Sequence, residues 1–312
     1  MGMASKTKKR TMLRADGGNF FTKYSHWVLL APFLILFIVF IILPIIIAIG
    51  LSFTNFNGVE TPNFVFLNNY IRVFAKDTVF MQKILPNTIV YAVIVGPGRY
   101  LLAFLMAWLL SQLTRGPRTV FAVIFYIPSM TAGVTISTVW AVLFSGDRTG
   151  YLNSLLLQLG IIQTPITWLQ SAGTLLPIMI IVALWSSFDV GFLSMLSGML
   201  NVNREIYEAA HLDGIRNRVQ EIIYVTIPSI RPQMLFGAVM ALVGTFNSAG
   251  LGVQLSGTNP TPNYAGSLIV NHVDDFGFLR YEMGYAAALS VILLLIISLC
   301  SKLVYKVLGD ND

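Results

Sequence analysis

WVLLAPFLILFIVFIILPIIIAIGLSF, residues 27–53, contains no Asp, Glu, Lys or Arg. An α-helix rises about 1.5 Å per residue, so roughly 20 residues cross a hydrocarbon core about 30 Å thick. This stretch is therefore long and apolar enough to span a bilayer. Five more runs are similarly long and mostly apolar: 87–113, 119–144, 174–200, 232–251 and 283–304. Lys6, Lys8, Lys9 and Arg10 precede the first run much as in a secretory leader. A leader's apolar part is only about 7–15 residues long and ends in a small-residue cleavage site. Residues 27–53 meet neither condition and are expected to remain as a helix.

Composition agrees. Of 312 residues, 55% are hydrophobic and 11% charged, whereas a water-soluble domain carries about 25% charged residues. The expected fold is an all-α integral membrane protein of about six transmembrane helices. Its parts are a basic segment at 1–26, a membrane domain at 27–305 containing a long polar loop at 201–231, and a tail at 306–312. Several runs contain Pro or Gly, including Pro44, Pro97 and Pro128, which membrane helices tolerate where neighbours or a cavity satisfy the freed backbone groups. The net charge of +6 is scattered over termini and short loops, which argues against nucleic acid. If the N-terminus is cytoplasmic, 14 Lys and Arg fall on the cytoplasmic side and five on the other. That excess places both termini inside. Cys300 stands alone, and His26, His211 and His272 are far apart in sequence, so no metal site is expected.

The 201–231 loop is too patterned for a connector. Asn203 can cap a helix, with Glu205 and Glu208 in its first turns. Ile206, Ala209, Ala210 and Leu212 give it a shallow apolar face. Gly214 is a natural left-handed stop. A second short helix is expected over 216–224, with Pro228 ahead of the fifth run. A short helix of this kind suits a groove on another protein.

Glu208-Ala209-Ala210, then Gly214 and Val225-Thr226-Ile227-Pro228, resembles the EAA loop of ABC importer permeases. Tyr207, Asp213 and Gln220 resemble the carbohydrate-uptake, maltose-transporter-type version. Gly150-Tyr151-Leu152-Asn153 and Ile166-Thr167-Trp168-Leu169 are similar to that family's outside loop. Met283-Gly284-Tyr285-Ala286-Ala287-Ala288-Leu289-Ser290 is similar to the start of its last helix. The resemblance covers about residues 115–305. The stretch from Gly214 to Pro228 is one residue longer than the usual pattern, and Ile215 stands where alanine is common.

The resemblance implies a coupling helix, with Tyr207, Glu208, Ala209, Ala210, Asp213 and Gly214 engaging a cytoplasmic ATP-binding cassette subunit. Glu208 would meet basic groups there. The chain has no Gly-x-x-x-x-Gly-Lys-Ser/Thr loop to cradle phosphates, so ATP and Mg belong to that partner, and this chain is expected to bind no cofactor and to be no enzyme. The other implied partners are a second permease subunit (a similar but different chain), an extracytoplasmic solute-binding protein and a sugar. The location is a bacterial cytoplasmic membrane, and the mechanism alternating access.

Arg99 and Asp189 fall near the middle of the second and fourth runs. A charge at that depth costs about 2.5–3.5 kcal/mol, which makes each a functional candidate. Asp189 could accept hydrogen bonds from sugar hydroxyls, or pair with Arg99 in packing. Trp185 and Phe188 beside it could add a stacking surface. Thr245, Phe246, Asn247 and Ser248 resemble the family segment whose aromatic and asparagine residues touch sugar. Ordinary interhelical packing is the alternative for each. An importer of a polyol or glycerol phosphate, a secondary transporter and a non-transporting scaffold remain rival readings.

Overall fold

The computed structural model describes residues 20–131, 133–247 and 250–309. The chain divides into two units, 1–48 and 49–312. In the first, α1 (Phe20–Phe37) continues through a π-helical turn, Ile38–Ile42, into α2 (Leu43–Leu51). Leu29–Leu51 is a candidate span. Its side chains point outward almost throughout, as an all-round apolar helix does in lipid.

The second unit begins with α3 (Asn68–Ile71) and the long α4 (Leu85–Ser111). Next come α5 (Arg115–Met130), α6 (Gly133–Leu143) and α7 (Tyr151–Gln158). Then α8 (Leu175–Trp185) and α9 (Val190–Asn201) follow one another across a short break. The polar loop holds α10 (Arg204–Leu212), α11 (Arg218–Glu221) and α12 (Ile227–Ser229). The chain ends with α13 (Arg231–Asn247), α14 (Leu251–Ser256), α15 (Ile269–Asp274) and α16 (Met283–Leu308). Among the described residues the one β pairing outside helices is an isolated bridge between Thr54 and Phe64.

Four helical stretches among the described residues are long and apolar enough to cross a membrane: Leu29–Leu51, Phe80–Ser111, Leu175–Asn201 and Met283–Leu308. Arg218–Ser229 and Arg231–Phe246 qualify together, bent by 86°. The expected third run, 119–144, is instead two helices, α5 and α6, of 16 and 11 residues. Between the first and second expected runs the chain is already helical at α3 and again at Phe80–Ile84, a π-helical turn that leads into α4.

α4 shows how the bundle forms. Its buried residues are Thr88, Tyr91, Val95, Arg99, Ala103, Ala107 and Leu110, a stripe with steps of three and four that marks one helix face. Val93, Leu101 and Leu105 on other faces are exposed and suit lipid. Ala103 and Ala107 let α9 approach, and Phe192, Met195, Met199, Ile230 and Met234 fill the space around them. A Cβ on Gly191 of α9 would lie 3.0 Å from the Gly237 Cα of α13, the close approach that small residues permit in membranes.

A cap closes the end of the unit near the start of α4. The polar loop lies at the other end, about 40 Å away along the 27 residues of α4. Asn153 is fully buried in this cap. Its Nδ2 donates to the carbonyls of Ser145, Asp147 and Ile166 at 3.0–3.2 Å. Its Oδ1 accepts from Trp168 Nε1 at 2.8 Å and from the Ile166 N–H at 3.2 Å. The segments around 150–153 and 166–169 are thus bound together by one amide. At the start of α16, the Gly284 N–H donates to the Phe56 carbonyl at 2.9 Å. A Cβ there would lie 2.0 Å from the Thr54 carbonyl oxygen, so only glycine fits.

Candidate functional site: a charged helix break and a polar loop

α8 and α9 break at Ser186–Asp189, midway along their shared span. Arg99 of α4 reaches this break. Its Nη2 donates to the Ser186 carbonyl at 3.2 Å and lies 3.6 Å from Asp189 Oδ2. Asp189 caps α9, its Oδ1 accepting from the Gly191 N–H at 2.8 Å. Each charge faces the complementary end of a helix dipole: the cation meets the carbonyl end of α8, and the carboxylate the N–H end of α9. The guanidinium also lies flat on Gly244 of α13, where a Cβ would come 2.9 Å from its Cζ. Gly98 packs beside Leu184, and Gly96 faces Thr245. The segment Gly96-Pro97-Gly98-Arg99 is therefore where α4, α8 and α13 cross.

The two charges differ in access. The Arg99 side chain is 8% exposed and that of Asp189 24%. Trp185, also at the break, is 46% exposed and meets Trp140 edge-on at 5.4 Å. Phe188 is buried, packed against Phe125 and Phe192. Thr245 is buried and donates to the Ala241 carbonyl at 2.7 Å. Thr245 and Phe246 line a groove of about 420 Å³ with Gly96, Pro97, Tyr100 and Cys300. The groove is apolar apart from the Thr245 and Tyr100 hydroxyls. Ser248 and the Asn247 side chain lie outside the described residues. The sequence candidates thus fall into two places, the break and the groove, joined by Arg99 and Gly244.

At the far end, α10 forms as its sequence dictates. Asn203 Oδ1 accepts from the Glu205 N–H at 3.1 Å. Gly214 has φ +97°, a left-handed conformation open to glycine at little cost. The second helix starts at 218 and runs on to 229, in place of the expected 216–224. Asn217 sets that start, its Oδ1 accepting from the Gln220 N–H at 2.8 Å. Arg218 points back onto buried Glu221 at 2.9 Å. Tyr207 turns inward, its hydroxyl 3.2 Å from Thr226 Oγ1. Glu208, Ala209 and Asp213 are exposed, and Leu212 is 90% exposed. A cleft of about 530 Å³ runs between α10 and Tyr224–Val225. Among the described residues no three His, Cys, Asp or Glu side chains are placed to hold a metal.

Residues 99–310 match the family of binding-protein-dependent transport system inner membrane components. The chain belongs to this permease family. Among its relatives, the arabinooligosaccharides transport system permease protein AraP of Bacillus subtilis is 29% identical over 92% of this chain and 90% of its own length. The multiple sugar-binding transport system permease protein MsmF of Streptococcus mutans is 30% identical over 91% of this chain and 95% of its own. Among solved structures, a bacterial alginate ABC transporter, crystallised with an alginate pentasaccharide-bound periplasmic protein, superposes with a TM-score of 0.73. It covers 92% of this permease and 96% of that chain at 19% identity, and it shares the fold.

Sequence reasoning missed one site in the permease. Asp77, before α4, accepts from Tyr285 at 2.7 Å and pairs with His272 Nε2 at 2.8 Å through Oδ2. Its Oδ1 accepts from the Phe80 N–H at 2.8 Å. Burial would raise the Asp77 carboxyl, but the bonds from His272, Phe80 and Tyr285 outweigh it and hold it at about 2. Arg72 pairs with Glu282 and stacks over Tyr285 at 4.3 Å. The mean hydropathy of a segment carries no trace of such a network.

Proposed function

We propose that this permease is the membrane-spanning subunit of an ATP-driven importer for a sugar or oligosaccharide, with its polar loop and both termini in the cytoplasm. The observation that carries this reading is the shape of the loop. α10 is capped at Asn203, stopped by Gly214 and exposed at Glu208, Ala209 and Leu212. A helix so presented, with a cleft beside it, is made to be gripped by another protein. The grip belongs to ATP-binding cassette subunits. They bind ATP and Mg, and their closure pushes α10 and tilts the spans that continue from it, α9 and α13. A second, similar permease chain completes the pathway, and an extracytoplasmic solute-binding protein delivers cargo to the capped end. AraP and MsmF support a saccharide as that cargo through the sugars in their names. In the pathway, Asp189 and Trp185 meet the sugar at the break, and Thr245, Phe246 and Asn247 of α13, with Ser248 next in sequence, form the second contact.

The test is uptake by the whole complex, purified from native membranes and placed in proteoliposomes with its binding protein. Labelled neutral oligosaccharides should accumulate only when ATP is supplied on the loop side. Accumulation driven by an ion gradient without ATP would show a secondary transporter instead.

A further inference from the structure

We propose that Asp189 acts as a charge filter that restricts the pathway to uncharged saccharides, with Arg99 as the residue that positions it. The inference rests on the sugar-importer reading above and adds the class of sugar. Asp189 is the acidic residue at mid-span, and Arg99 is its basic counterpart. The internal residues outside the description, Ala132, Ser248 and Ala249, are uncharged. The two charges are not presented equally. The guanidinium is 8% exposed, held behind the break by the Ser186 carbonyl and the Gly244 backbone. The carboxylate stands in front of it, 24% exposed. Its Oδ1 caps α9, while Oδ2 is 3.6 Å from Arg99, too far for a hydrogen bond.

A carboxylate exposed at this depth belongs in the bundle interior or a water-filled cavity, because facing lipid is too costly, and in this proposal that cavity is the pathway. Anything passing the break therefore meets the negative end of a fixed dipole. A neutral sugar can donate a hydroxyl to Asp189 Oδ2 and lay an apolar face on Trp185. A uronate or a sugar phosphate meets like charge where water is scarce and screening weak. The filter thus disfavours glycerol phosphate and acidic oligosaccharides in this pathway.

The experiment measures direct binding to the complete complex in nanodiscs, without its binding protein. The probes are neutral trisaccharides, each paired with the uronic-acid trisaccharide of the same linkage. Asp189→Asn is the informative variant, since asparagine caps a helix about as well as aspartate. Wild type should prefer the neutral member of a pair by about tenfold. Asp189→Asn should bring that ratio close to one. Arg99→Gln should weaken neutral binding by misplacing the carboxylate, and Arg99→Lys should restore part of it. Equal binding of both members, unchanged by Asp189→Asn, overturns the filter and leaves the importer reading intact. That result is expected if a basic group of the second permease chain neutralises Asp189. A complex that binds no member of any pair overturns the sugar reading and the filter with it.

Discussion

Asp77 joins three parts of the chain that lie far apart in sequence. His272 is 195 residues away and Tyr285 is 208, yet both contact the same carboxylate oxygen. Folding places that carboxyl at about 2, below its usual 3.8. A carboxyl lowered by folding stabilises the fold above about pH 4, and the gain is lost as pH falls toward 2. The shift corresponds to roughly 2 kcal/mol. Asp77→Asn should therefore lower the melting temperature of the purified protein near pH 7. The difference from wild type should shrink to a small remainder near pH 2, where the wild-type carboxyl is half protonated; thermal scans at both pH values check this. An equal difference at both would mean that the carboxylate's charge contributes nothing. No local signal in the sequence pointed to this network, because nothing near Asp77 requires partners so distant. Arg99 and Asp189 were legible as candidates for the opposite reason: a charge inside an apolar run is costly wherever it finds its partner.

Among the elements, apolar runs announced most of the helices because lipid leaves backbone groups no other partner. Their interruptions were less legible. The α8–α9 break, at Ser186–Asp189, and the split of the expected third run into α5 and α6 both fall inside runs whose mean hydropathy stays high, and an average over a run does not show where its helix ends. The second helix of the polar loop starts two residues later than expected because Asn217 caps it. The segment 283–290 was recognisable as a motif, but the structure gives its reason. The first turn of α16 hydrogen-bonds Phe56 and leaves no room for a Cβ at Gly284. Gly284→Ala should cost about 1–3 kcal/mol by overpacking and loosen the 54–79 segment. Limited trypsin digestion should then cut faster after exposed Lys76; an unchanged rate would show that the segment is held without this contact.

At the scale of the molecule, a distal cap, a charged break at mid-span and the exposed helix α10 of the polar loop lie in order along α4 and the spans beside it. This order suits a device that receives cargo at one end and a push at the other. The assignment to the permease family was legible in the loop, since Glu208-Ala209-Ala210 and Gly214 are close together in sequence and need no tertiary contact to be read. The pathway was only partly legible: its candidates lie on separate spans, and which of them share a cavity depends on how the spans cross. The central claim is that α10 couples this chain to an ATPase. Its most direct test is co-purification from native membranes in mild detergent, with mass spectrometry of the bound proteins, comparing wild type with Gly214→Pro. Proline cannot adopt the φ of +97° found at this turn. An ATP-binding cassette subunit should accompany wild type and be lost or depleted in the variant. Wild type that brings no such subunit, under conditions in which a known importer complex stays whole, would contradict the claim.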